Sequence, residues 1–173
     1  MESVMDANEL RALQTPIKER YRGDPQAALV TLRAKGTLDD GAIACKVETG
    51  RALAVAGLHP ATGGSGLELC SGDMLLEALV ACAGVTLKAL ATALDIPLKS
   101  GKVSAEGELD FRGTLGVAKD APVGFREIRL RFDLDTDVAQ DKLDQLLKLT
   151  ERYCVVYQTI KAGPPVAVSM ARV

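Results

Sequence analysis

The chain is poor in the residues on which many binding functions depend. Aromatic residues make up 3% of its 173 positions, and tryptophan is missing altogether. Base-stacking platforms and sugar clefts draw on aromatic faces, so both are disfavoured. There is a single histidine, His59, and no two cysteines stand at the C-x-x-C spacing of structural zinc sites. Basic residues do not gather either. With 21 Lys and Arg against 23 Asp and Glu, the net charge is -2 and the pI about 5.5. Neither nucleic acid nor an anionic membrane has an electrostatic handle here.

Targeting signals are also lacking. The stretch MESVMDANELRALQTPIKER opens on acidic residues and holds no apolar core, so no secretory signal is expected. The longest apolar stretch, Met74 to Leu94, carries Glu77 and Lys88 among many alanines. It reads as a buried helix rather than a membrane span. The expected compartment is the cytosol, where Cys45, Cys70, Cys82 and Cys154 would be thiols with packing or chemical roles, not a disulfide framework. No metal or cofactor is expected: the Gly63-Gly64-Ser65-Gly66 run lacks the lysine of a phosphate loop.

What is present is ordinary globular material, 47% hydrophobic and 25% charged, enough for one domain with a short appendage. Residues 1–24 read as an N-terminal helical extension and 25–173 as the domain. Leu10, Leu13 and Ile17 form a weak helical stripe interrupted at Pro16. Strand-like runs follow at Ala28 to Lys35, Ala42 to Glu48 and Arg51 to Gly57, separated by Asp39-Asp40-Gly41 and Thr49-Gly50. A helix over Gly72 to Leu94 is apolar nearly all round and is expected to be buried on most sides.

Two alternating strands are then expected, Lys102 to Arg112 and Phe125 to Leu134. In the second, Ile128, Leu130, Phe132 and Leu134 oppose Arg129, Arg131 and Asp133. Thr136 or Asp137 would cap a helix bearing Val138, Leu143, Leu146, Leu147 and Thr150 on one stripe. Tyr153 to Lys161 continues it or starts a second helix. Gly163-Pro164-Pro165 ends it, and Val166 to Val173 reads as a last strand. Strand runs with helices between them indicate an α+β fold.

The chemistry on offer is thiol chemistry. Cys82 stands in Leu79-Val80-Ala81-Cys82-Ala83-Gly84, where a cysteine is usually a small buried hydrophobe. Cys154, in Tyr153-Cys154-Val155-Val156-Tyr157, falls seven residues after Leu147 and can share its helical face. A joint role requires the two Cα atoms to come within about 7 Å, which spacing alone does not decide.

The segment Ser71-Gly72-Asp73-Met74-Leu75-Leu76-Glu77-Ala78-Leu79-Val80-Ala81-Cys82-Ala83-Gly84, followed some seventy residues on by Tyr153-Cys154-Val155-Val156-Tyr157, resembles the OsmC and organic-hydroperoxide-resistance family. The likeness spans roughly residues 25–173. It implies an OsmC-like α+β fold, with antiparallel sheets packed around a long central helix in an intertwined homodimer. It also implies a thiol-dependent peroxidase acting in the response to oxidative stress, with a small organic hydroperoxide as substrate and a dithiol as reductant. Cys82 would be the peroxidatic thiol and Cys154 the resolving one.

The family's acid is matched by Asp73, and its thiolate-holding arginine by Arg51, with Arg22 and Arg33 as rivals. His59 and Tyr153 would meet substrate. Where the family often has proline after the second cysteine, this chain has Val155. Asp73 precedes Cys82 by nine residues, about 13.5 Å along an ideal helix. It would therefore serve a partner's cysteine or merely cap its helix. Two alternatives stand beside the peroxidase: a domain of this fold that binds a small apolar or thiol ligand without turnover, and a redox-sensing domain.

Overall fold

The computed structural model describes residues 6–24, 35–38, 44–48, 53–116 and 118–172. The first element is helix α1 (Ala7–Gly23). Its start is fixed by a reciprocal pair: the Asp6 carboxylate accepts from the Glu9 N–H at 2.8 Å, and the Glu9 carboxylate accepts from the Asp6 N–H at 2.9 Å. Each acid thus satisfies a main-chain donor that a helix end leaves open. Contrary to the interruption expected at Pro16, the helix runs through it. The carbonyl of Ala12 that loses its donor there is on an exposed turn, where water can replace the bond.

Strands β1 (Lys35–Leu38), β2 (Ala44–Glu48), β3 (Leu53–Gly57) and β4 (Leu69–Cys70) form a four-stranded sheet in that order. The first two pairings are antiparallel; the short β3–β4 pairing is parallel. The second and third expected strands are found, as far as the described residues reach, at Ala44–Glu48 and Leu53–Gly57. The first lies largely outside the described residues, which include only its end at Lys35.

Helix α2 (Ser71–Ala93) follows without a loop, because Cys70 both ends β4 and is the residue from which α2 starts. Its length and composition would allow it to cross a membrane. Here one stripe, Leu79, Ala83, Leu87 and Ala91, is buried. These residues recur every four positions and so lie along one side. The opposite side is not covered as expected: Ala78 and Ala81 are exposed, and Val85 is 72% exposed.

Strands β5 (Ser100–Leu109) and β6 (Phe125–Asp135) form an antiparallel ribbon from the Ser100–Asp135 pair to the Leu109–Phe125 pair. The alternation read from the sequence holds. Val103, Ala105, Ile128, Leu130 and Phe132 pack towards the core, while Arg129 reaches Glu108 and Glu127 at 2.9 Å on the exposed face. Gly107 faces the Phe125 ring so closely that a Cβ there would collide with it. The expected strand through Arg112 stops at Leu109, because Asp110 caps a short helix, α3 (Phe111–Thr114), by accepting from the Arg112 N–H at 3.2 Å.

Helix α4 (Gln140–Tyr153) starts from Ala139 rather than from Thr136 or Asp137. Those two are otherwise engaged. The Thr136 hydroxyl donates to the Pro97 carbonyl at 2.6 Å, and Asp137 pairs with Lys99 at 2.6 Å, which ties the β6–α4 turn to the α2–β5 turn. Helix α5 (Val155–Ala162) is separate from α4, with Cys154 between them.

Residues 163–172 form no strand, and Val168 and Met170 are 92% and 100% exposed. Two successive prolines at 164 and 165 remove the donors with which this segment would enter a ladder.

Among the described residues, the core has two centres. Leu87, Ala91, Ile96 and Leu146 join α2 to α4. Leu79, Ala83 and Cys154 join α2 to the α4–α5 junction, under Ile128, Leu130 and Phe132.

Candidate functional site

Cys82 and Cys154 meet in the second core centre. Cys154 is 1% exposed, and half-buried Cys82 packs against it. The expectation that Cys154 shares the face of α4 gives way to a different placement. Cys154 is extended, at φ -74° and ψ 108°, and is at once the residue that ends α4 and the one that starts α5. Its own N–H donates to the Thr150 carbonyl at 2.9 Å, and its carbonyl accepts from the Gln158 N–H at 3.0 Å. Both helices are therefore anchored on this residue, and its side chain is directed inward by the change of conformation.

The beginning of α5 consequently lies over Cys82. The first N–H groups of a helix have no partner inside it and carry the positive end of its dipole. Two of them, on Val156 and Val155, favour the Cys82 thiolate, as do the Cys154 thiol and the Thr86 hydroxyl, one turn along α2. Burial pushes the Cys82 thiol up, but the four donors outweigh it and the net displacement is below the ordinary thiol value. Cys154 moves the opposite way. Burial raises it, as does the neighbouring Cys82, and the N–H groups of Tyr157 and Val156 offset only part of this. The two sulfurs are thus displaced in opposite directions from the ordinary thiol value.

A cavity of about 300 Å³, which neither cysteine lines, is bounded by Leu79, Ile128, Leu130, Phe132, Tyr157 and Ile160, residues of the same core centre, with Leu147, Glu151 and Lys161 also on its wall. Its walls are mostly apolar side chains, suited to an apolar group rather than an ion.

The other residues singled out from the sequence go elsewhere. Asp73 is in the first turn of α2 and exposed, so it is neither beside Cys82 nor the residue from which the helix starts, which is Cys70. His59 starts a short 3-10 turn (Pro60–Thr62), its Nδ1 accepting from the Ala61 N–H at 3.0 Å. Its ring stacks on Phe111 with centroids 4.8 Å apart. His59 and Asp73 do share a cavity, of about 420 Å³, with Cys70, Phe111, Phe125 and Arg126. Neither cysteine of the pair lines it. Tyr153 is 54% exposed with the Arg152 guanidinium over its ring, and it is not among the residues packed on the pair. Arg51 and Arg33 lie outside the described residues.

Sequence reasoning missed Thr86 and Tyr157. Their spacings, four residues after Cys82 and three after Cys154, were the available signal. Among the described residues, no cluster of His, Cys, Asp and Glu could hold a metal ion.

The architecture and the neighbouring thiols of Cys82 and Cys154 define an α+β dithiol protein. More particularly, the chain belongs to the OsmC-like protein family, whose sequence model matches residues 64–169. Solved structures agree in fold. An OsmC-like protein from Mycoplasma pneumoniae superposes with a TM-score of 0.64 at 15% identity, over 78% of this chain and 89% of that one. An organic hydroperoxide resistance protein from Legionella pneumophila gives 0.60 at 18% identity, over 78% and 91%. A protein of the same description from Elizabethkingia anophelis gives 0.62 at 15% identity, over 78% and 91%. Comparison with curated protein sequences finds no match.

Proposed function

We propose that this protein is a thiol-dependent reductase of organic hydroperoxides with a role in peroxide stress, Cys82 attacking the peroxide and Cys154 resolving the product. The observation that carries this reading is the contact between the two thiols with their acidities displaced in opposite directions. Family membership and the hydroperoxide-resistance relatives support it.

In the first step the Cys82 thiolate attacks the distal peroxide oxygen. The S–O bond forms, the O–O bond breaks, and the alkoxide leaves with a proton as alcohol. In the second step the Cys154 sulfur attacks the Cys82 sulfenic acid. The S–S bond forms and water leaves, carrying the sulfenic oxygen. An external dithiol returns both cysteines to thiols and is itself oxidised to a disulfide. The apolar cavity bounded by residues of the same core centre suits the organic part of the peroxide.

The exposed side of α2, with Ala78, Ala81 and Val85, is covered in this reading by a second copy of the chain. Asp73 stands about 13.5 Å of helix rise from Cys82, so a part for it in the reaction requires the sulfur of the second subunit. Residues 1–24 remain an appendage to the domain, and the protein works in the cytosol.

The test is consumption of cumene hydroperoxide in the presence of excess dithiothreitol. Turnover by the wild type that is lost in Cys82→Ser supports the reductase. A second reading, a binder without turnover, rests on the same apolar cavity; it requires no peroxide consumption and a ligand affinity that survives Cys82→Ser.

A further inference from the structure

Cys154 stands at a break between helices that neither glycine nor proline makes. Two main-chain bonds tie it to one helix each. Its N–H donates to the Thr150 carbonyl of α4 at 2.9 Å, and its carbonyl accepts from the Gln158 N–H of α5 at 3.0 Å. Neither bond joins the two helices to each other. A third one does. The Glu151 carbonyl, near the end of α4, would take its donor from Val155 if the helix continued, and the break removes that bond. The side-chain amide of Gln158 replaces it, Nε2 donating to the Glu151 oxygen at 2.7 Å. Among the described residues no other side-chain hydrogen bond or ion pair joins α5 to α4.

Gln158 thus bonds on both sides of the thiol, with its main chain to Cys154 and with its side chain to the turn before it. We infer that Gln158 is a positioning residue, whose amide clamps the α4–α5 break and so holds the Cys154 sulfur where it can close a disulfide on Cys82. The inference deepens the reading of Cys154 as the resolving thiol and rests on it, although its test uses no peroxide.

The physical reason lies in the freedom that closure removes. Cys82 is carried by α2 and packs on the core centre that holds Cys154. An S–S bond tolerates a narrow range of separations and dihedral angles. A junction free to swing must give up that freedom when the bond forms, whereas a clamped junction has given it up already. Packing does not explain the glutamine. Its side chain is exposed, and α5 reaches the core through Val156, Tyr157 and Ile160. What Gln158 contributes is the bond, and water competes for a bond at the surface, so its net worth is modest.

The experiment measures how readily the pair closes. Full-length wild type, Gln158→Met and Gln158→Lys are equilibrated without oxygen in mixtures of oxidised and reduced dithiothreitol. The two protein thiols lose two hydrogens and form the S–S bond, while the disulfide of the reagent is reduced to its dithiol. Remaining thiols are alkylated, and the peptides holding Cys82 and Cys154 are weighed by mass spectrometry. Methionine has nearly the length of glutamine but no donor; lysine restores a donor. Gln158→Met should lower the equilibrium constant for closure about three- to five-fold, the loss of one exposed hydrogen bond, and Gln158→Lys should recover most of it. Equal constants in wild type and Gln158→Met would overturn the inference, as would a loss in Gln158→Lys as large as in Gln158→Met. A cap that merely steadied the helices would lower the urea midpoints of reduced and oxidised protein alike and leave the constant unchanged, which also overturns it.

Should Gln158→Met fail to fold, Gln158→Glu takes its place, with the same shape and no donor at neutral pH, and is held to the same outcomes. A wild type that consumes no peroxide, while the constant still falls in Gln158→Met, defeats the reductase reading and leaves this role standing. Peroxide turnover with a constant indifferent to Gln158 does the reverse. A wild type that forms no Cys82–Cys154 disulfide at any ratio overturns both.

Discussion

Cys82 packs on the core centre that holds Cys154, and Cys154 is at once the residue that ends α4 and the one from which α5 starts, which sets the beginning of α5 beside the pair. Contact and activation therefore have one origin, the break between α4 and α5. Moving the break by a residue would move both the Cys154 thiol and the first N–H groups of α5.

The first expectation concerns acidity. Cys82 ionises below the ordinary thiol value and Cys154 above it, so alkylation across a pH series should label Cys82 at lower pH than Cys154. For stability the signs are opposite. The depressed Cys82 favours the fold above the unfolded thiol pKa, and that contribution is lost as pH falls through its folded value. The raised Cys154 costs stability as pH climbs past the unfolded thiol pKa. Replacing Cys154 by alanine removes a donor to Cys82 and should move the Cys82 midpoint upward. A midpoint that stays put or falls would separate the two sulfurs energetically.

Leu146 and Leu147 are neighbours in sequence and differ in burial: Leu146 is 1% exposed and Leu147 42%. Leu146→Ala removes packing between α4 and α2 and should cost about 2–5 kcal/mol in urea unfolding. Leu147→Ala should cost about 1 kcal/mol or less. Similar losses for both would mean that α4 is rotated from the orientation described.

At the start of α1, Asp6→Ala deletes one half of the reciprocal cap. The expected cost is about 1 kcal/mol, local to α1. It should speed amide exchange in the first turn of α1 while leaving exchange in α2 unchanged.

The exposed side of α2 carries the expectation of a homodimer. Val85→Glu sets a charge in the middle of that side and should reduce the mass found by light scattering from twice 18.3 kDa to 18.3 kDa. An unchanged mass, or a monomeric wild type, would leave this side without the proposed cover.

The parts of the molecule that repeat a simple period were legible in the sequence. The inward set Ile128, Leu130, Phe132 and Leu134 follows from strict alternation, and the extent of α2 follows from its uninterrupted apolar run. Where one residue has two uses, the reading failed. Thr136 and Asp137 have capping chemistry but spend it on Pro97 and Lys99, partners that only tertiary structure brings near. The break at Cys154 carries neither glycine nor proline, so local signals run through it. Among the described residues one side of α2 is buried and the side of Val85 is exposed, because an all-round apolar composition does not say which face is covered. Of the candidate site, the pair Cys82 and Cys154 was legible and is brought together. His59 and Asp73 converge instead on a separate cavity, and Tyr153 faces solvent, because loop and helix-end positions depend on contacts that sequence spacing does not encode.

The most direct test of the central claim is mass spectrometry of the reduced protein after one equivalent of cumene hydroperoxide, beside Cys82→Ser and Cys154→Ser. The account predicts that the wild type rapidly loses two hydrogens, that Cys154→Ser stops with one added oxygen on Cys82, and that Cys82→Ser does not react. A wild type that remains fully reduced over minutes would contradict it.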